Sequence, residues 1–273
     1  MFNIIKDSFN ITNKYIVLAT PLILFSLISS LYLIFSSNGN TISVLLALVL
    51  FYLMLAAFLS GWLFMVRKCV TNPQEDDINA FIGEFPAGVG EYFLSMCGLI
   101  FVILFLSAIF FAVSYKLGLK YIGDVSDVYQ MIFASSGSTE SLQSLFLSLS
   151  AEKKVMFAKW NILIFFTMII NYFLIMFYSP AIFFKTKNPF AAFFISCKDL
   201  LGHKILKNIL LFVIIFFVYF ILSLISAAFV NNKIIHFVLT LVNFYYAVFA
   251  VIYVYNYYYK NFVQIGANID TRI

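Results

Sequence analysis

The sequence predicts an all-α, polytopic membrane protein with six transmembrane helices and short amphipathic interfacial helices before helices 1, 3 and 5. Long stretches nearly free of charge, their length, and the cations that flank them lead to this class. Only 11% of the 273 residues are charged, while 63% are hydrophobic and 20% aromatic. Soluble domains carry about a quarter charged residues. A bilayer core of about 30 Å and a helical rise of about 1.5 Å per residue require roughly 20 apolar residues per crossing. Six runs meet that length: 15–35, 41–66, 92–115, 161–184, 205–230 and 234–258. Backbone groups in hydrocarbon must satisfy one another, and no alternating barrel strands are seen, so each run is expected to be a helix.

The first run, Tyr15–Phe35, exceeds the roughly 7 to 15 residues of a signal-peptide core and is read as a retained helix. With the N-terminus inside, eleven of the 17 cations fall on the cytoplasmic side. These are Lys6, Lys14, Arg67, Lys68, Lys185, Lys187, Lys198, Lys204, Lys207, Lys260 and Arg272. Most of the others, Lys116, Lys120, Lys153 and Lys154, fall in the extracytoplasmic loop 116–154, and long loops weigh less in orientation. Both termini are therefore expected in the cytoplasm. Lys far outnumbers Arg, and with abundant Phe, Tyr, Ile and Asn this reads as an AT-rich bacterial genome, hence a bacterial cytoplasmic (inner) membrane. The net charge of +5 follows helix ends rather than one basic stripe, so nucleic acid is not an expected partner.

Amphipathic segments precede the odd-numbered crossings. Phe2, Ile5 and Phe9 form a stripe before the first, and Ile78, Phe81, Ile82 and Phe85 before the third, opened by the acidic Glu75, Asp76 and Asp77. Before the fifth, Asn188 is an expected N-cap, Pro189 the first helical residue, Phe190, Phe193, Phe194 and Cys197 the stripe, and Gly202 the stop. Lys-Asp recurs at Lys6-Asp7 and Lys198-Asp199, consistent with repetition of an interfacial helix followed by a hairpin. In the loop, Val125, Val128, Tyr129 and Ile132, then Leu142, Leu145, Phe146 and Leu149, predict two short helices around Ser135-Ser136-Gly137-Ser138. They form either a cap over helix ends or a partner-binding surface.

No ionisable residue occupies the centre of any run, which disfavours a pump built on buried carboxylates. The neutral polar residues there are Asn171, Asn243, Ser26, Ser29, Ser30, Ser223 and Ser226. Such side chains join helices at about 0.6 to 2 kcal/mol each, or line a path for a solute. Ala57 with Gly61, and Ser223 with Ala227, mark close packing faces, and Pro21 and Pro180 remove helical hydrogen bonds. Cys69, Cys97 and Cys197 follow no zinc spacing, the acidic run lacks the further oxygen ligands of a calcium loop, and His203 and His236 fall on opposite sides. No metal or other cofactor is expected. Walker, Rossmann, zincin and serine-hydrolase motifs do not occur, and no catalytic residue is assigned. Lys198, Asp199 and His203, with Glu84, form the one interface cluster to which chemistry could be ascribed.

The run from Asn188 to His203 together with the fifth crossing, and the N-terminal amphipathic helix with the first, resembles a group of bacterial six-helix membrane proteins. This group includes the membrane domain attached to some glycerophosphodiester phosphodiesterases. The resemblance implies no catalysis, since the phosphodiesterase activity there belongs to a separate soluble barrel. The expected function is a non-catalytic membrane scaffold or assembly partner, with the lipid bilayer and a protein partner or second copy as its surroundings. A permease or a transport subunit energised by another polypeptide is the alternative, and a membrane-bound lipid enzyme the third reading. A polar cavity near the midplane would favour the permease, and Phe and Leu packing there the scaffold.

Overall fold

The structure, a computed structural model, describes residues 1–36, 41–73, 78–134 and 147–264. The described residues are helical with no strand. In chain order the helices are α1 Phe2–Lys14, α2 Ala19–Ser36, α3 Thr41–Thr71, α4 Ile78–Tyr121, α5 Ser126–Ala134, α6 Ala151–Ile175, α7 Tyr178–Phe184, α8 Pro189–Leu201, α9 Ile205–Ala228 and α10 Lys233–Tyr258. A 3₁₀ turn, Ile16–Leu18, joins α1 to α2, and a π turn, Tyr259–Val263, follows α10. Six helical segments are long and apolar enough to cross a membrane: Ile16–Ile34, Thr41–Thr71, Ile82–Tyr121, Ala151–Phe184, Ile205–Ala228 and Lys233–Val263. The chain is a multi-pass membrane protein of the predicted class.

Several boundaries depart from the expected ones for identifiable reasons. The stripe before the third crossing is helical but runs unbroken into it, so α4 extends over 44 residues, about 66 Å. Pro86 lies inside this helix. The side chains of Ile78 and Phe81, and all of Glu75, Asp76 and Asp77, lie outside what the structure describes. Pro21 does not split a span: α2 starts at Ala19, so the proline sits in the first turn, where its missing N–H is no loss. Pro180 sits in the first turn of α7, after α6 has ended at Ile175, so the fourth crossing is broken just before it.

The chain divides into two compact units, Met1–Val102 with Leu174–Ile273, and Ile103–Phe173. In the first, burial concentrates at the end where α1, α7 and α8 lie, hereafter the capped end. There α3 buries Ser60 to Val66 and α10 buries Tyr253 and Tyr255 to Tyr258. Phe177, Tyr178, Ile182 and Phe183 are also buried, and Tyr92 packs against Phe183 with ring centroids 4.4 Å apart. α3 and α4 cross with backbones in contact: a Cβ on Gly88 would lie 2.5 Å from the Phe64 Cβ and 2.8 Å from the Ser60 carbonyl oxygen. Toward the other end, packing falls away. From Thr41 to Leu50 every α3 side chain except Ala47 is exposed, and so is the whole run from Asn231 to Val238.

In the second unit, Val125, just before α5, and Val128 within it cluster with Leu149 and Trp160, joined by Ile122, Met156 and Phe157. The Trp160 indole N–H donates to the Gly123 carbonyl at 2.9 Å, and Gly123 adopts φ +106, a left-handed conformation that glycine tolerates best. The first predicted loop helix is thus present, and Leu149 of the second is buried. Leu142, Leu145, Phe146 and Ser135 to Ser138 lie outside the described residues.

Candidate functional site

Two polar constellations stand out in the first unit. The first is a crevice of about 530 Å³ between α2, α3 and α10. The α2 wall presents Ser26, Ser29 and Ser30, the α10 wall Thr240 and Asn243, and Phe25, Phe51 and Phe244 supply apolar surface. On α2 these serines recur at i, i+3 and i+4, one helical face. The Ser30 hydroxyl donates to the Ser26 carbonyl and that of Thr240 to the His236 carbonyl, both at 2.8 Å. Their oxygens keep free acceptor capacity toward the crevice. The Asn243 amide donates to the Ser226 hydroxyl of α9 at 3.1 Å. The Ser29 hydroxyl is buried without a hydrogen-bond partner among the described residues.

Of the polar residues singled out in sequence, Ser26, Ser29, Ser30 and Asn243 line this crevice, and Ser226 holds Asn243 from behind. Ser223 is half-buried on α9 and is not among the lining residues. Asn171 belongs to the second unit, where its amide donates to the Ser107 hydroxyl at 2.7 Å. Ser114 and Thr167 share a hydroxyl pair at 2.6 Å between the same two helices, α4 and α6. The Asn171 carbonyl oxygen is buried without a partner among the described residues. Asn171 therefore acts as an interhelical tie. Thr240 was not singled out in sequence. It lies one turn before Asn243 in the final apolar run, where a lone Thr gives no signal.

The second constellation closes the capped end. The Asp199 carboxylate accepts from the Lys185 ammonium at 2.7 Å and from the Tyr258 hydroxyl at 2.6 Å. Lys198 on α8 and His203 just beyond it are exposed, whereas Asp199 is half-buried. Of the cluster singled out in sequence, Asp199 is thus engaged in ties within the capped end. Glu84 instead pairs with Lys68 at 3.1 Å. Asn208, fully buried, donates to the Asp199 and Leu200 carbonyls at 3.1 and 2.7 Å and accepts from the Tyr257 hydroxyl at 2.9 Å. It satisfies carbonyls that the end of α8 leaves without intrahelical partners. The other Lys-Asp pair behaves alike: Asp7 pairs with Lys260 at 2.6 Å while Lys6 is exposed. Both aspartates thus anchor an interfacial helix to the end of the last crossing.

Electrostatics at this end is that of tethered ion pairs. Hydrogen bonding to Glu91, 2.9 Å away, holds the Lys187 ammonium above its ordinary range. Burial, and then the neighbouring Lys207, lowers Lys204, whose ammonium donates to the backbone and side-chain oxygens of Asn261 at 2.9 and 3.1 Å. Burial raises the Cys197 thiol, leaving it a poorer nucleophile than a solvated thiol. Among the described residues no three of His, Cys, Asp and Glu gather as a metal site. Compared with known proteins, the chain matches no family model, no curated protein and no solved structure.

Proposed function

We propose that this chain is a non-catalytic membrane scaffold or assembly partner, with the capped end as a rigid base and the opposite hairpin ends as seats for transmembrane helices of other chains. The carrying observation is the exposure of α3 from Thr41 to Leu50 on all faces, Ala47 excepted. A span that finished its packing within its own chain would present one buried face there. Helices in lipid associate through close van der Waals fit, and this surface leaves that fit open. The test places a photo-crosslinking residue at Val44 or Leu48 in native membranes, with Met65 as the buried control. Adducts with another polypeptide, or a second copy, support the reading; adducts with lipid alone, together with a monomeric mass in native-lipid discs, overturn it. The capped end is proposed to face a bacterial cytoplasm, on the eleven cations that this orientation places inside. Reporter fusions after Gly123 and at the C-terminus should report opposite sides.

A second reading has its own observation. The partly polar crevice of Ser26, Ser29, Thr240 and Asn243 supports a permease or energised transport subunit, for which a polar cavity near the midplane is expected. Its lining is uncharged, which favours a neutral hydroxylated or amide-bearing solute. Cysteine placed at Asn243 should then react with a water-soluble maleimide in intact membranes, and one at Val248 should not. Equal protection of both removes this reading.

A further inference from the structure

A larger cavity, of about 570 Å³, lies on another face of α2 and is almost wholly apolar, with Thr20 its one polar side chain. It is lined by Val17 of the 3₁₀ turn and the α2 face that continues to Ile28, and on the antiparallel α3 by the face from Met65 back to Met54. Each stretch covers about 16 Å at ~1.5 Å per residue. That matches half of the ~30 Å hydrocarbon core, the depth of one leaflet. Two helices running in opposite directions thus delimit the same leaflet-deep slot.

The sequence explains why the slot exists. Ala57 and Gly61 remove bulk from this face of α3. Phe85 of α4 fills the space at Gly61, where an added Cβ would lie 2.8 Å from its ring, whereas among the described residues the space before Ala57 is left open and Ala57 lines the cavity. In the wall behind, Phe25 stacks on Phe58 with centroids 4.1 Å apart and planes 10° from parallel. Leu24, Ile28 and Ile82 at the rim are about half exposed, so the slot opens sideways to the bilayer. Charge gives it a direction. Among the described residues, the charged groups near it, Lys14, Arg67, Lys68 and Glu84, lie in sequence beside its Val17–Met65–Ile82 end, and the Ile28–Met54 end adjoins only apolar spans.

We infer that this slot is a binding site for one acyl chain of a phospholipid from the leaflet at the capped end, its polar end beside Val17 and Ile82 and its methyl end beside Ile28 and Met54. A fluid annular lipid touches a helix surface from one side. Here residues of three helices, α2, α3 and α4, line the slot.

The test uses the full chain, exchanged from native membranes into detergent and washed, with phosphate analysis and native mass spectrometry. One phospholipid retained per chain is expected, falling at least three-fold in Ala57→Leu and in Thr20→Leu, which fill the slot from opposite walls. Leu45→Phe, on the exposed part of α3, should retain it. In vesicles of phospholipid brominated at mid-chain, Trp62, stacked on Phe58 at 5.9 Å, should be quenched. That quenching should persist for minutes after dilution into unbrominated lipid, with the Trp62→Phe variant subtracting the Trp160 signal. Loss of quenching at the bulk exchange rate, absence of retained phosphate, or an apolar molecule without phosphate in its place overturns the inference. Should either filled variant fail to elute as folded protein, the exchange measurement on the unaltered chain decides.

Discussion

The Tyr257 hydroxyl donates to the Asn208 side-chain oxygen at 2.9 Å, and through Asn208 the last crossing is tied to the carbonyl end of α8. Asn208→Ala removes this junction and strands the Tyr257 hydroxyl and two carbonyls. It is expected to cost about 2–4 kcal/mol, whereas Tyr257→Phe should cost about 1 kcal/mol. Reversible unfolding in mixed detergent measures both, and equal effects would deny Asn208 its central place.

Backbone contact between α3 and α4 leads to a second expectation. Gly88→Ala introduces a Cβ into the space held by Phe64 and the Ser60 carbonyl, and should destabilise by about 1–3 kcal/mol. Gly90→Ala, two residues on in the same helix, meets nothing within 4 Å and should be neutral or stabilising by up to about 1 kcal/mol. A loss of similar size at both positions would show that helix propensity, not the crossing, governs this segment.

In the second unit, Asn171→Leu breaks the bond to Ser107 and should cost about 0.6–1.7 kcal/mol, the usual range for one interhelical polar contact. The double variant Ser107→Ala with Asn171→Leu should recover much of that loss, because no buried polar group is then left unpaired. Strict additivity in the double-mutant cycle would mean that the two side chains do not interact.

Acid should loosen α5 through Asp127. The Lys153 ammonium hydrogen-bonded to it holds its carboxyl below the usual carboxylate range. The native form then binds fewer protons than the unfolded form just below the ordinary value of 3.8, so this stabilisation is complete above that pH and disappears as pH falls through the lower native value. Hydrogen exchange of the 126–134 amides, corrected for intrinsic rates, should rise between pH 4 and pH 2 (about the carboxylate range) more steeply than in Asp127→Asn. Asp124, which accepts from the Ser126 N–H at 2.8 Å, is common to both proteins and cancels.

The six crossings were legible because an apolar run of membrane length has few other uses. Their ends were not, since a helix continues past the hydrocarbon while its backbone bonds persist: α6 starts at Ala151 rather than Asn161, and α4 at Ile78 rather than Tyr92. The Asn188 cap was readable, and its side chain accepts from the Phe190 and Ala191 amides at 3.0 and 3.2 Å. The serine face of α2 could be read from its spacing, but not that α10 would bring Thr240 and Asn243 to it. Asn208 and Asn256 gave no sign, because a buried asparagine and an exposed one look alike in a single sequence. Ala57 and Gly61 read as one packing face. The structure closes Gly61 and leaves Ala57 open, a distinction that depends on Phe85 arriving from another helix.

The junction of α1 with α10 also sets an order of events during synthesis. Ser8 accepts a hydrogen bond from Asn256, and Asp7 is paired with Lys260, so these two residues of the first helix made find their partners only when the last one leaves the ribosome. At about 5–20 residues per second that interval is roughly 12–50 s, and throughout it α1 has only the end of α3, where Lys14 donates to the Pro73 carbonyl, to dock against. The membrane surface or a chaperone must hold this segment meanwhile, and a chain truncated before Asn256 should never release it.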